Sequence, residues 1–391
     1  VAYLNLPLSA APSSFHIIAE RQFIRGDFSA AKNALGKSTD LQSRILRGRI
    51  QEIEEPGVSL DLLKATSENP NSAIALAWAG HALGESAKTR AEGLQMLRSA
   101  ASKSPNDPEV LSLLGRLLFR SGEQEQGLRL MQRAGDLSAH SFVVGINLAN
   151  SYLDAFDSKK ALAEFDRLVS NHRQMPLAYF YRACYFKQVG NNQQAMADCD
   201  KALAINPSFQ PALASKAFWL LQDKKFKAAT QPARLCIANE GSNTFTSKAL
   251  RVLIDCEIAL KSDKSAVEHL SQLINRKVSE RICSSDEIKE LLLLRASAYE
   301  RLGNWQKAEA DLSRIQKQYK PTSQILLLKA RLLEDQNKLE EALAQYNLLI
   351  DRGLPAPAFY RGRAEVYRKL GRAALSEADK KKAQALEAPN F

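Results

Sequence analysis

Small residues recur along this chain at a spacing of 34. Gly115, Ala149, Ala183 and Ala217 follow one another at that step, and so do Ala296, Ala330 and Ala364. A second small residue stands twelve positions later: Gly127, Ala161, Ala195, Ala229, Ala308 and Ala342. Four positions beyond come Met131, Phe165, Cys199, Ala233, Leu312 and Tyr346; three further come Ala134, Leu168, Ala202, Cys236, Ile315 and Leu349. Steps of four and three keep side chains on one helix face. Two antiparallel helices approach closely only where their contact carries small side chains. The pattern therefore specifies helix pairs stacked one on the next: an all-α, right-handed α-solenoid in which each pair touches only its neighbours.

Turn signals fall in phase with the repeat. Gly122, Gly190, Gly303 and Gly371 mark the bend between the two helices of a pair. Pro105 and Pro207 fall where a second helix must stop. About eleven pairs are expected, over 12–38, 40–70, 73–107, 108–141, 142–175, 176–209, 210–243, 247–280, 289–322, 323–356 and 357–390. The first three, through residue 107, are degenerate, with Glu55-Pro56-Gly57 as a turn. Residues 108–280 form a central block and 289–391 a C-terminal block ending in a polar, basic cap. Between them, 281–288 reads as an inter-block loop in which Cys283-Ser284-Ser285-Asp286 leads into an N-cap. A second irregularity falls near Gly241–Thr246.

These residues resemble the tetratricopeptide repeat family. Pro176–Phe209 carries the family's Ala183, Gly190, Ala195, Ala202 and Pro207, with Tyr179 and Phe186 at positions usually Trp and Tyr. Lys289–Thr322 matches through Tyr299, Gly303, Ala308 and Leu312, and Pro357–Asn390 through Tyr360, Ala364, Tyr367 and Gly371. The resemblance implies that the first helix of each pair lines a concave face through motif positions two, five, nine and twelve. Carried over, those positions give Val143, Ile146, Asn150 and Leu153, then Leu177, Phe180, Cys184 and Lys187, then Pro211, Ala214, Phe218 and Leu221, with Phe119 ahead of them. From 247 onward they become charged: Arg251, Glu290, Glu300, Arg331, Glu334, Arg361, Glu365 and Arg368. The expected partner site is thus an apolar central strip (Phe119, Val143, Ile146, Asn150, Leu153, Leu177, Phe180, Cys184, Phe218, Leu221). A partner's amphipathic helix or extended peptide would lie in it. The competing expectation is that the N-terminal segment fills the groove. A secondary charged surface comprises Arg331, Arg361, Arg368 and Lys380-Lys381-Lys382. The carboxylate clamp of one family subset is not matched, because only Asn150 is of a suitable type.

Composition narrows the function further. The net charge of +11 is spread, with +5 in residues 1–240 and +6 in 241–391, so no single basic stripe announces nucleic acid. Five widely spaced cysteines without a Cys-x-x-Cys point away from a disulfide framework or zinc site, and toward the cytoplasm. Val1–Pro12 is mildly apolar and reads as an extension over 1–11, the stub of a removed signal or anchor; in that case the location would be periplasmic or membrane-anchored. Neither phosphate loops nor G-x-S-x-G nor H-E-x-x-H occur, and the five histidines are scattered, with His81 a lone polar lining residue. Trp78, Trp219 and Trp305 are expected to pack in the core. The expectation is a non-enzymatic scaffold or adaptor that assembles a multiprotein complex by binding other proteins. It has no cofactor, metal, catalytic residue or small-molecule substrate. Nucleic-acid binding, or a regulatory role beside an enzyme or membrane part encoded elsewhere, are the alternatives.

Overall fold

The computed structural model describes residues 14–54, 59–238, 244–280, 284–352 and 356–387. Among them lie 22 helices and no strand. In chain order they are α1 (Ser14–Ile24), α2 (Phe28–Leu35), α3 (Leu41–Glu54), α4 (Leu60–Glu68), α5 (Ala73–Gly84), α6 (Arg90–Lys103), α7 (Pro108–Arg120) and α8 (Gln124–Leu137). Then follow α9 (Phe142–Asp154), α10 (Ser158–Asn171), α11 (Pro176–Gln188), α12 (Asn192–Ile205), α13 (Gln210–Gln222), α14 (Phe226–Ala238) and α15 (Thr244–Ala259). The last are α16 (Asp263–Glu280), α17 (Ser285–Arg301), α18 (Trp305–Gln316), α19 (Ser323–Asp335), α20 (Leu339–Asp351), α21 (Pro357–Lys369) and α22 (Ala373–Glu387). The expected all-α solenoid of helix pairs is what forms. The turn at Glu55-Pro56-Gly57, Cys283 and residues 241–243 lie outside the described residues.

Two compact units divide the chain: Val1–Asp223 with Gln231–Ala249, and Lys224–Thr230 with Leu250–Phe391. The division falls at α14–α15, whereas the sequence places its break at 281–288. There, α17 starts four residues earlier than the repeat phase suggests. Ser284 caps it, its Oγ accepting from the Glu287 N–H at 3.2 Å, and Asp286 and Glu287 in the first turn favour the helix dipole. In the first unit the odd-numbered helices α3, α5, α7 and α9 lie side by side, each against its own even-numbered partner. In the second unit α17, α19 and α21 do the same.

The contact that sets the pairing is nearly bare backbone. A Cβ on Gly127 would stand 2.4 Å from the Gly115 carbonyl oxygen, and one on Gly93 would stand 2.4 Å from that of Gly80. Ala149, Ala183, Ala296 and Ala330 hold the same position and are fully buried, as are Ala161, Ala195, Ala308 and Ala342 opposite them. A polar tie reinforces three pairs. The guanidinium of Arg182 donates to both oxygens of Asp198 at 2.7 and 2.9 Å. Arg295 does so to Asp311 at 2.8 and 2.6 Å, and Arg363 to Asp379 at 2.7 and 2.8 Å. Each joins the first helix of a pair to the second with the acid buried, so losing one partner would strand a charge.

The intra-pair turn needs a left-handed residue at one phase of the repeat. Gly122, Gly190, Gly303 and Gly371 supply it with φ between +69° and +100°, and nothing crowds them. At the same phase Phe156 (φ 59°), Lys224 (58°) and Asn337 (59°) adopt it as well. Phe156 does so while 94% exposed, so its side chain gains little from the strain. Replacing Phe156 with Gly should therefore stabilise the protein by about 1 kcal/mol, readable as a rise in denaturation midpoint. Gly127→Ala should instead cost about 3 kcal/mol, because the added methyl meets main chain that cannot step aside. Equal and small effects of both substitutions would contradict this account of the pairing.

Candidate functional site

The expected apolar strip is not an open surface. Phe119 is buried in the core, while Val143, Ile146 and Leu177 are nearly buried and line a cavity. Leu153, Phe180 and Cys184 are half-buried against the core, Phe180 lying edge-on to Phe209 at 5.9 Å. Leu221 is half-buried too, and Phe218 alone among the apolar members is exposed, at 47%. The cause is the N-terminal helix pair. Phe28 of α2 packs edge-to-face on Phe209 at 6.1 Å, and the Asn206 side chain donates to the Arg25 carbonyl at 2.9 Å. Gly26, at φ 75°, lets the chain pass so close that a Cβ there would lie 2.6 Å from the Phe209 ring. The first helix pair, α1 and α2, thus packs against the start of α13; residues 1–11 lie outside the described residues.

What α1 leaves open is a cavity of about 590 Å³. Phe23 comes from α1, Arg49 and Glu52 from α3, Trp78 and His81 from α5, and Arg116 and Arg120 from α7. α9 adds Phe142, Asn147, Asn150 and Asp154, and α11 adds Leu177 and Tyr181. Most of its ions are already matched: Arg116 donates to Asp154 at 2.7 Å and to Ser151 Oγ at 3.1 Å, and Arg120 pairs with Glu85. Arg49 is different. Its guanidinium lies over the rings of Phe23 (5.5 Å) and Trp78 (4.9 Å), 7% exposed, with no hydrogen bond or ion pair among the described residues. Glu52, one turn on, has a buried Oε1 with no hydrogen-bond partner.

Burial governs titration here. It pushes the Glu52 carboxyl up to about 8 against the opposing pull of Arg49, so Glu52 is largely protonated at neutral pH. It pushes His81 down to about 4, leaving a neutral imidazole edge-on to Trp78. Tyr181 and Cys184 are each driven up to about 12 by burial, so neither is a nucleophile or base near neutrality. Behind Trp78, burial also raises Glu109, whose Oε1 accepts from the indole N–H at 3.0 Å. Among the described residues no group of three His, Cys, Asp or Glu is placed to hold a metal ion, and no helix is long and apolar enough to cross a membrane.

Sequence reasoning placed Ile146, Asn150, Val143, Leu177 and His81 at the lining, and they are there. It missed Phe23, Arg49 and Glu52, which come from pairs too degenerate for the motif to number. Their signal was a charged pair spaced three apart among Ile45, Ile50 and Ile53, on a helix otherwise turned inward. Trp78 and Trp219 pack as expected, Trp219 beneath Lys187, but Trp305 is 40% exposed because it opens α18 beyond the reach of the next pair. The charged surface is exposed throughout: Arg331, Arg361, Arg368 and Lys380–Lys382.

Stacked helix pairs with small residues at their crossings define a repeat scaffold of the protein-interaction class. The family model described as Tetratricopeptide repeat matches residues 146–208, 293–353 and 327–386, and those stretches carry tetratricopeptide repeats. None of the curated proteins matches it in sequence. Among solved structures it is similar to pilF of Pseudomonas aeruginosa at 15% identity, over 57% of this chain and 97% of that one, with a TM-score of 0.41. It is similar to PilW, described as a widely conserved type IV pilus biogenesis factor, at 16% over 56% and 96%, TM-score 0.42. A human IFIT1 dimer with m7Gppp-AAAA is similar at 15% over 96% and 90%, TM-score 0.37. Such loose overlaps say nothing of what this chain binds.

The two shifted groups give opposite pH dependence. His81, lowered on folding from 6.5, adds stability that is present above 6.5 and lost as pH falls toward 4. Glu52, raised from 4.5, adds stability present below 4.5 and lost as pH rises to about 8. Of these two, Glu52 acts between pH 6.5 and 8, where its contribution should fall by about 2 kcal/mol. Glu52→Gln should flatten that segment in urea titrations at several pH values. An unchanged slope in the variant would contradict the raised carboxyl.

Proposed function

We propose that this repeat scaffold binds an acidic, extended segment of a partner protein along the first helices of its second unit. The observation that carries the reading is the guanidinium of Arg331 on α19, exposed and without an ion pair among the described residues, beside α21 with Arg361 and Arg368. Other charges at the equivalent positions are already matched: Arg251 donates to Glu290 at 2.6 Å, and Lys369 to Glu334 at 2.8 Å. Arg361 and Arg368 pair only with exposed acids, Glu387 and Glu365, which an incoming carboxylate can replace at little cost. In the first unit the corresponding face is taken by α1 and α2, so the second offers the more accessible surface. Lys380, Lys381 and Lys382 widen the positive field; Lys382 lies over the Tyr360 ring and Lys380 near Glu377. Interspersed Glu334, Asp335 and Glu365 break any continuous basic track, which favours a peptide over nucleic acid.

The reading is tested by affinity capture from native extract, with nuclease added, comparing the wild type with Arg331→Glu/Arg361→Glu/Arg368→Glu and with Phe218→Asp. The triple variant should lose the partner by at least tenfold, about 1.4 kcal/mol, and the wild-type complex should weaken in salt. Retention by the triple variant with loss in Phe218→Asp would place the site on α13 and overturn it.

A further inference from the structure

Arg49 stands at a junction. Besides the 590 Å³ cavity, a second cavity of about 390 Å³ opens on the same guanidinium and shares Phe23 and Phe142 with the first. The two differ in character. The larger presents Glu52, His81 and the amides of Asn147 and Asn150; the smaller presents Ile24 and Met175 beside the shared rings, with the polar segment 170–174, including Arg173, on its remaining side. Asn147 is committed, donating to Ser112 Oγ at 3.0 Å.

A guanidinium buried among rings without an acid is costly to keep, and nothing in the packing requires it. Met in its place would stack on Phe23 and Trp78 at no electrostatic cost. The nearby acids do not answer it: neither Glu52 nor Glu109 comes within ion-pair distance, although both lie in its field. Arg116 and Arg120 hold Asp154 and Glu85. Arg49 is therefore the one buried positive charge left over among the described lining residues, in clefts whose volumes are those of small-molecule sites.

The geometry points to a binding site for a small organic monocarboxylate with an apolar body, its carboxylate on Arg49 and its body among Phe23, Ile24, Phe142 and Met175. A planar carboxylate matches the guanidinium fork with two parallel hydrogen bonds. A phosphate dianion would need a second cation as buried as Arg49, and the other uncommitted lining cation, Arg173 of the smaller cavity, is exposed. The unpartnered Oε1 of Glu52 lies one helical turn away on the same wall, where the protonated acid donates to the ligand. This site is independent of the arginines of the second unit, so either proposal can fail alone.

Titration calorimetry and thermal shift on the full chain test it, with phenylacetate and octanoate as probes and phenylacetamide and octanamide as uncharged counterparts. Both acids should bind and raise the denaturation midpoint, while the amides bind at least tenfold more weakly. Arg49→Met should abolish the difference between acid and amide while leaving the midpoint of the unliganded protein unchanged or higher, which a structural arginine would not allow. Should that variant fail to fold, Arg49→Lys gives the second reading, with acid affinity lowered about tenfold by loss of the fork. No preference for acid over amide in the wild type, or unaltered affinity in Arg49→Lys, overturns the proposal. So does binding of the carboxylate only when it ends a peptide such as Ala-Ala-Phe, which would make this a peptide site.

Discussion

Close approach of two helix backbones is the constraint from which the structure follows. At Gly115 and Gly127, and again at Gly80 and Gly93, there is no room for even a methyl group. Where alanine takes those places, it is fully buried, as are large neighbours such as Phe165 and Tyr346. Each pair so formed buries its remaining apolar stripe only by receiving the next pair, and stacking is the consequence. The buried Arg–Asp forks of α11–α12, α17–α18 and α21–α22 then fix the register of each pair with a directional contact that apolar packing lacks.

A stack of this kind leaves the first helices of successive pairs side by side with a face to cover. In the first unit the chain covers part of it with its own N-terminal hairpin, through Phe28 on Phe209 and Phe23 against Arg49. The cover is incomplete, and burial around what remains shifts Glu52 and His81 toward their neutral forms. In the second unit Arg331 is exposed, and Arg361 and Arg368 are held by surface acids. One architecture thus presents two distinct chemistries.

The fold was legible because its rules are local and repeated. The small-residue phase at Gly115 through Ala217, and the glycines at 122, 190, 303 and 371, required only counting. Longer-range facts were not so legible. That Phe180 meets Phe209, and Phe209 meets Phe28, depends on a return of the chain across some 180 residues that no periodicity encodes. Arg49 and Glu52 sit in a helix whose repeat has drifted from the motif, so their role came only with their neighbours. The Arg–Asp forks were countable, since each spans sixteen residues, yet a pattern built on apolar and small residues passes over them. Phe218 shows the converse, a lining position rightly numbered whose exposure was decided by where the N-terminal hairpin ends.

The most direct test of this account is a double-mutant cycle between Phe28 and Phe209, measured by equilibrium unfolding of the wild type, Phe28→Ala, Phe209→Ala and the double variant. If α2 seats on the loop between α12 and α13, the two substitutions should be non-additive by about 1 kcal/mol. Strict additivity would mean that the N-terminal hairpin does not close the groove, and the cavity around Arg49 would go with it.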